Sequence, residues 1–384
     1  MRYTTFIILA LLCAAFATAQ TDSIATDSVP KKRNIFQRIG DYISGKNEKP
    51  DTIAPHKPRW IVLGGPHYSS EEKLGIALSG MATFRLNGCD ATMQPSAGLV
   101  FADISTAGFW NFGFQGDILF PNDSRRIHGK MRVRYSPYNF WGIGYEKGNT
   151  DSLKTQLHQH EVIVEGSMLW RLANGLYLGP TASYNFVTSG NISRPELLEG
   201  QRKSTGQVGA GFTLLYDTRD FINNAASGQI IQLDQLFHPR FIGNHYTFAR
   251  TDLRASIYRT VWKGGIIAAD LRTTFNFGSP SWASLALLGG NETMRGYYTG
   301  RFRDKHLYSV QVELRQRVWR RNGIVVWAGA GNVFHDWKSF KAHVLPNFGI
   351  GYRWEVRPRM NLRLDFGFGK KGHSGFTFSM YEAF

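Results

Sequence analysis

The chain has little cysteine: two residues in 384, Cys13 and Cys89. Cys13 lies in a stretch with the marks of a removable export signal. Arg2 supplies the charge, Phe6 to Phe16 the apolar run, and Ala17-Thr18-Ala19 the small residues read at cleavage. Residues 1–19 are therefore expected to be a signal peptide, and Leu12 before Cys13 argues against a lipid-anchored form. One remaining thiol excludes an internal disulfide, a cysteine zinc site and a dithiol redox pair. Cys89 sits in Asn87-Gly88-Cys89-Asp90, a turn sequence, and reads as an inert loop residue. Beyond the signal no apolar run reaches the roughly 18 residues of a membrane-spanning helix. Nucleic-acid modules and nucleophile motifs are also missing, so no nucleic-acid partner, no enzyme and no cofactor are expected. His158-x-His160 is too isolated to call a metal site. Acidic residues are the minority, 29 against 45 Lys and Arg, giving a net charge of +16. In an exported chain that balance suits anionic outer-membrane lipid and lipopolysaccharide as partners.

Glycine (41 residues) and aromatics (14%) are abundant, which suits aromatic-faced strands joined by tight turns. From about residue 71 the pattern has a period of two. Leu362, Leu364, Phe366 and Phe368 alternate with Asn361, Arg363, Asp365 and Gly367. Tyr308, Val310, Val312 and Leu314 alternate with Ser309, Gln311, Glu313 and Arg315. Long strands with one apolar and one charged face fit lipid outside and water or a plug inside.

Strands are predicted near 72–86, 94–106, 109–120, 126–136, 140–149, 156–172, 175–189, 206–218, 228–238, 245–261, 264–278, 306–319, 323–334, 346–356, 360–369 and 374–384. The expected fold is all-β, a transmembrane antiparallel β-barrel of about sixteen strands over residues 63–384. Turns at 106–108, 136–138, 173–175, 262–264, 320–322 and 357–359 are short and expected on the periplasmic side. Connections at 86–95, 191–206, 279–306 and 335–344 are longer and expected outside. Residues 20–62 read as a polar periplasmic tether, with Ile35, Phe36, Ile39, Tyr42 and Ile43 at the spacing of a short amphipathic helix. Arg132, Arg134, Arg254, Arg272, Arg315 and Arg317 face inward, where they could select anions; a charge-laced lumen balanced by Asp252, Asp270 and Glu313 is the favoured reading. Asp217, Arg219 and Asp220 form a turn motif in which carboxylates bond free backbone groups. Gly75, Ala77, Ser79 and Gly80 make the predicted first strand weak, so that it would part from the last strand near Gly375.

Loops as long as 279–306 are usually functional. This one holds Gly289-Gly290 and Met294-Arg295-Gly296-Tyr297. With Pro66-His67-Tyr68-Ser69-Ser70-Glu71, Phe140-Trp141-Gly142-Ile143-Gly144, Tyr216-Asp217-Thr218-Arg219-Asp220 with Gly228, and Arg363-Leu364-Asp365-Phe366-Gly367-Phe368-Gly369, the chain resembles the BamA/TamA-like outer-membrane assembly superfamily, or bacterial surface antigens. It looks like a short member without periplasmic POTRA domains. The resemblance implies sixteen strands in the bacterial outer membrane and a long extracellular loop folded into the lumen. It implies that Arg295 meets acidic residues of the inner wall, with Gly296 allowing close approach and Tyr297 packing. Relatives often carry an Asp on the thirteenth strand where this chain has Gly329. Glu313, Glu355 and Asp365 are then the possible partners of Arg295. The ending Gly375 to Phe384 resembles the strand signal read by barrel-assembly machinery, with Phe384 as its terminal aromatic. The function implied is assistance in inserting or exporting outer-membrane or surface proteins, with client proteins or envelope-complex subunits as partners. The alternative is a passive pore or a structural subunit of an envelope complex.

Overall fold

The computed structural model describes residues 58–69, 73–90, 93–357 and 359–384. The expected signal peptide and amphipathic helix lie outside them.

The strands are β1 (Arg59–Ser69), β2 (Lys73–Phe84), β3 (Ser96–Ser105), β4 (Trp110–Leu119), β5 (Arg125–Phe140), β6 (Thr155–Ala173), β7 (Leu176–Ile192), β8 (Ser204–Asp217), β9 (Gly228–His238), β10 (Phe248–Trp262), β11 (Gly265–Gly278), β12 (Ala286–Leu288), β13 (Phe302–Asp304), β14 (His306–Trp319), β15 (Asn322–Phe334), β16 (Leu345–Arg357), β17 (Met360–Gly369) and β18 (Ser374–Met380). All but β12 and β13 form one sheet of 16 strands, each antiparallel to its neighbours in sequence, with β14 following β11. Among the described residues the short strands β12 and β13 pair only with each other. Among the described residues no ladder joins β1 to β18, so the barrel sheet keeps two free edges.

Which way the side chains point decides the environment. On β14, Val310 and Val312 are 44% and 49% exposed, whereas Glu313 beside them is fully buried. Asp365 on β17 is buried while Phe366 faces out. Apolar outside and charged inside is the reverse of a water-soluble sandwich and matches a lipid-facing wall. Trp60, Trp170, Trp262 and Trp319 are exposed and lie near one rim, that of the turns at 174–175, 263–264 and 320–321. Exposed Phe237, Phe277, Phe348 and Phe376 lie near the other rim. These are the two aromatic girdles of a membrane barrel.

The predicted strand count holds, but through two opposite errors. β1 lies at 59–69, partly inside the expected tether, and it was missed. Its sequence does not alternate, and Pro66 reads as a strand breaker. Proline is tolerated at a sheet edge, where its missing N–H faces no partner; among the described residues β1 pairs only with β2. The predicted strand at 140–149 does not exist. Gly142 and Gly144, with φ of 104° and 94°, turn the chain out of the sheet, and Tyr145–Gly148 makes one helical turn. β5 instead runs straight through the predicted turn at Ser136-Pro137-Tyr138. β4 pairs with β5 only as far as Tyr135, so Pro137 has no ladder to break on that side.

One strand missed and one added leave the parity of every connection after residue 150 unchanged. The connection at 85–95 moves to the short-turn rim and the turn at 106–109 to the long-loop rim. The loop at 279–305 stays on the long-loop rim. Gly75, Ala77, Ser79 and Gly80 lie on β2, paired on both sides, and not on a seam. The seam is bounded by β1, with Gly64 and Gly65, and by β18.

Candidate functional site

Between β11 and β14 the chain leaves the rim and enters the lumen. Gly289 and Gly290, with φ of 102° and 134°, make the bend that other residues rarely adopt. β12 and β13 stiffen its base. Ala286, Leu288, Met294, Tyr297 and Phe302 of the loop pack with Tyr145, Leu307, Val333 and Leu345 into one buried cluster. Trp282 anchors the entry: its indole N–H donates to the Arg202 carbonyl at 3.0 Å. Its ring also meets Phe140.

Arg295 sits at the tip, with no exposed surface. Nη1 donates to Asp365 Oδ2 and Nη2 to Glu313 Oε2, both at 2.6 Å. Trp327 lies under the guanidinium, 3.6 Å from the ring centroid. A guanidinium removed from water needs charge-assisted bonds in its own plane and tolerates an aromatic face above or below it. Both are present. The Arg295 carbonyl accepts from the Asn347 amide. Tyr297 donates its hydroxyl to the Pro346 carbonyl at 2.7 Å and accepts from the Lys370 N–H at 2.7 Å.

The approach is close enough to demand glycine on both sides. Gly296 has φ of 106°, and a Cβ there would lie 2.6 Å from the Gly367 carbonyl oxygen. A Cβ on Gly367 would lie 2.2 Å from the Arg295 carbonyl oxygen. Gly369 is likewise filled by the Tyr297 ring, 2.3 Å from where its Cβ would be.

Of the three carboxylates named from sequence, the structure brings Glu313 and Asp365 to Arg295. Glu355 is elsewhere: it takes Arg317 at 3.2 Å and the Arg359 N–H at 3.1 Å. At Gly329 an added Cβ would lie 2.9 Å from the Gln311 Cβ. Gln311 fills that space and donates to the Glu292 carbonyl at 2.9 Å. Trp327, Asn347 and Gln311 were not foreseen. The alternation Phe366-Gly367-Phe368-Gly369 was a readable signal, since strand glycines mark close backbone approach.

Phe140-Trp141-Gly142-Ile143-Gly144, expected to open a strand, is a dock for the same loop. Trp141 meets Tyr298 edge-on, and the Arg301 guanidinium lies 4.9 Å over its ring centroid. The Gly144 N–H donates to the Arg303 carbonyl at 2.8 Å. Arg301 also donates to the Gly148 carbonyl at 2.8 Å, and Arg303 to the Tyr138 hydroxyl. The loop therefore bridges the lumen from β14–β17 to the end of β5.

The turn motif forms a clamp. Arg219 makes a two-pronged pair with Asp217 at 2.8 and 2.9 Å and donates to the Ile222 carbonyl at 2.7 Å. Asp220 accepts from the N–H groups of Ala226 and Ser227 at 2.9 and 3.2 Å, and from Arg359 at 2.7 Å. Burial pushes the Asp220 carboxyl up, but these three donors outweigh it and hold its pKa below the usual carboxylate range. A carboxyl with a depressed folded-state pKa stabilises the fold above its unfolded pKa, about 4, and loses that contribution as pH falls through the folded value. Thermal unfolding should therefore show Asp220→Asn less stable than the parent near neutrality, with the gap closing below about pH 4. A gap that persists unchanged at acid pH would contradict this.

The last predicted strand is shorter than expected. β18 ends at Met380, and Tyr381, with φ of 64°, turns the chain inward. Ala383 and Phe384 are buried with Leu169, Tyr177, Leu215, Ala225, Ile230, Tyr258 and Ala268. Phe384 is thus not the outward end of a strand. Its carbonyl accepts from Arg315 at 3.0 Å.

Four of the other inward arginines are matched by acids. Arg132 and Arg134 share Glu161 at 3.0 and 2.6 Å, Arg272 meets Asp270 at 3.2 Å, and Arg315 meets Glu313 at 2.7 Å. Arg254 donates to Ser256 at 3.3 Å. Arg132, Arg134, Arg254 and Arg272 border a lumen cavity of about 1030 Å³ between the loop and the Tyr381–Phe384 segment. Such a charge-laced interior is the bland outcome expected of a polar lumen. Among the described residues no group of three or more His, Cys, Asp or Glu side chains is placed to hold a metal ion.

An even-stranded antiparallel sheet, apolar outside and charged inside, with a long loop locked in its lumen, is a bacterial outer-membrane β-barrel. The chain belongs to the Omp85 superfamily, whose domain matches residues 102–384. That places it among outer-membrane assembly and translocation factors. BamA from Haemophilus ducreyi lacking POTRA domains 1–3 is similar in fold, with a TM-score of 0.58 at 11% identity over 85% of this chain and 71% of that one. CdiB from Escherichia coli gives 0.54 at 10% identity over 95% and 68%. CdiB from Acinetobacter baumannii gives 0.52 at 10% identity over 84% and 59%. No curated protein sequence matches the chain.

Proposed function

We propose that this barrel assists the insertion or export of other outer-membrane or surface proteins by offering the free edges of β1 and β18 to a client strand. The observation that carries this is the seam between those two strands, unpaired among the described residues in a sheet otherwise fully laddered. A free edge presents a row of N–H and C=O groups, and an incoming strand gains main-chain hydrogen bonds by adding to it. β18 is short, 7 residues, and β1 carries the adjacent glycines Gly64 and Gly65, so both edges are weakly held. The Arg295 lock keeps the lumen plugged while the seam works, so that client passage does not require an open pore.

Depletion of the protein followed by a quantitative outer-membrane proteome tests the reading. Particular barrel or surface proteins are expected to fall several-fold while the rest persist. An unchanged proteome would overturn it and leave the passive pore or structural subunit.

A further inference from the structure

Six buried side chains form a closed ring of alternating charge. Arg295 pairs with Glu313 at 2.6 Å, Glu313 with Arg315 at 2.7 Å, and Arg315 with Glu382 at 3.7 Å. Glu382 pairs with Arg353 at 2.8 Å, Arg353 with Asp365 at 2.5 Å, and Asp365 with Arg295 at 2.6 Å. No member's side chain is more than 6% exposed. Four members sit on barrel strands: Glu313 and Arg315 on β14, Arg353 on β16, Asp365 on β17. The other two are carried by segments that can leave the wall: Arg295 by the loop, Glu382 by the stretch after β18. Arg363, also buried on β17, lies outside the ring but 3.7 Å from Asp365.

We propose that the lumen loop and the Tyr381–Phe384 segment are a single latch, released together through this ring. The reason is that the two segments bring opposite charges to one dry network. With both seated, the ring and Arg363 hold four cations against three carboxylates, so Glu382 keeps the positive excess small. Lifting Glu382 leaves Arg315 and Arg353 competing against Arg295 for Glu313 and Asp365, and Arg295 is the cation not fixed to a strand, so the loss acts on the loop. Lifting Arg295 leaves Glu313 and Asp365 to hold Arg315 and Arg353 more fully, which weakens their hold on Glu382. Each segment is therefore held more firmly while the other is seated. The segment that carries Glu382 continues β18, the edge strand, so the plug at one rim and the seam strand at the other share one equilibrium. This inference does not depend on the client role proposed above, and its test reads no client.

The test uses the full chain folded in detergent, with Cys89→Ser and one reporter cysteine at a time. Ser309→Cys lies beneath the loop beside Met294, and Ala383→Cys lies in the segment after β18; both positions are buried. Labelling by a maleimide reads how often each is uncovered. Coupling is reciprocal, so Glu382→Gln is expected to speed labelling at Ser309→Cys about tenfold, and Arg295→Gln to speed labelling at Ala383→Cys by about the same factor. The double variant should show less than the product of the two single effects. Glu355→Gln, an ion-pair change outside the ring, should alter neither reporter. The proposal is overturned if each variant affects only the reporter on its own segment, or if Glu355→Gln speeds both. If Glu382→Gln fails to give the heat-modifiable folded species, Glu382→Asp replaces it. That change keeps the charge but draws it back from Arg315, and it must move both reporters in the same direction.

Discussion

Arg295→Ala is expected to lose about 3 kcal/mol of folding stability and to turn a closed lumen into one that conducts. Breaking a buried ion pair by removing one partner typically costs about 3–5 kcal/mol, because the remaining charge is left without compensation. The lower end applies here, since Arg353 stays with Asp365 and Arg315 with Glu313. Alanine also vacates the space over Trp327 and leaves Gly296 and Tyr297 to hold the loop tip alone. Denaturant unfolding reads the first effect and planar-bilayer recording the second. An exposed pair gives the contrast: Lys147→Ala removes a link to Glu199 at the surface, where such pairs contribute about 0–1 kcal/mol. Equal loss in the two variants, or a closed lumen in Arg295→Ala, would show that the ring does not hold the plug.

The sequence carried the fold through one repeated rule. Val310 and Val312 against Gln311 and Glu313 establish a two-faced strand, and sixteen such segments establish a barrel. What defeated the rule was local. Pro66 hid an edge strand, because tolerance of proline depends on whether a neighbour stands beside it. The glycines at 142 and 144 look like strand punctuation until their positive φ shows that they leave the sheet. Tyr381 continues an alternating run yet turns inward, and nothing in the sequence marks it.

For the site, parity along a strand identified Glu313 and Asp365 as inward-facing, and the structure puts both on Arg295. Parity gives the face but not the height. Glu355 faces inward too, yet Asp365 stands opposite Gly351, four positions away along β16, or about 13 Å at the rise of a strand. That separation is invisible until the register of β16 against β17 is known. The same holds for Trp327 and Asn347, which become partners of Arg295 only when β14 to β17 are laid side by side. Glu382 was beyond reach for a further reason: its place in the ring depends on the chain leaving β18.

The account's central claim is that β1 and β18 must part for the protein to work, and a disulfide across that seam tests it most directly. Val62 and Phe378 both face outward, 49% and 51% exposed, on the two edge strands. In a Cys89→Ser background, Val62→Cys with Phe378→Cys begins a scan of pairs between Arg59–Ser69 and Ser374–Met380. A disulfide holds its Cα atoms within about 7 Å. A client strand lying between two others separates them by about 9.6 Å, two strand spacings. The two states exclude each other. Cells whose only copy carries an oxidised seam should lose assembly of the client proteins, and reduction of the disulfide should restore it. Full assembly with the seam locked in nearly every molecule would contradict the account.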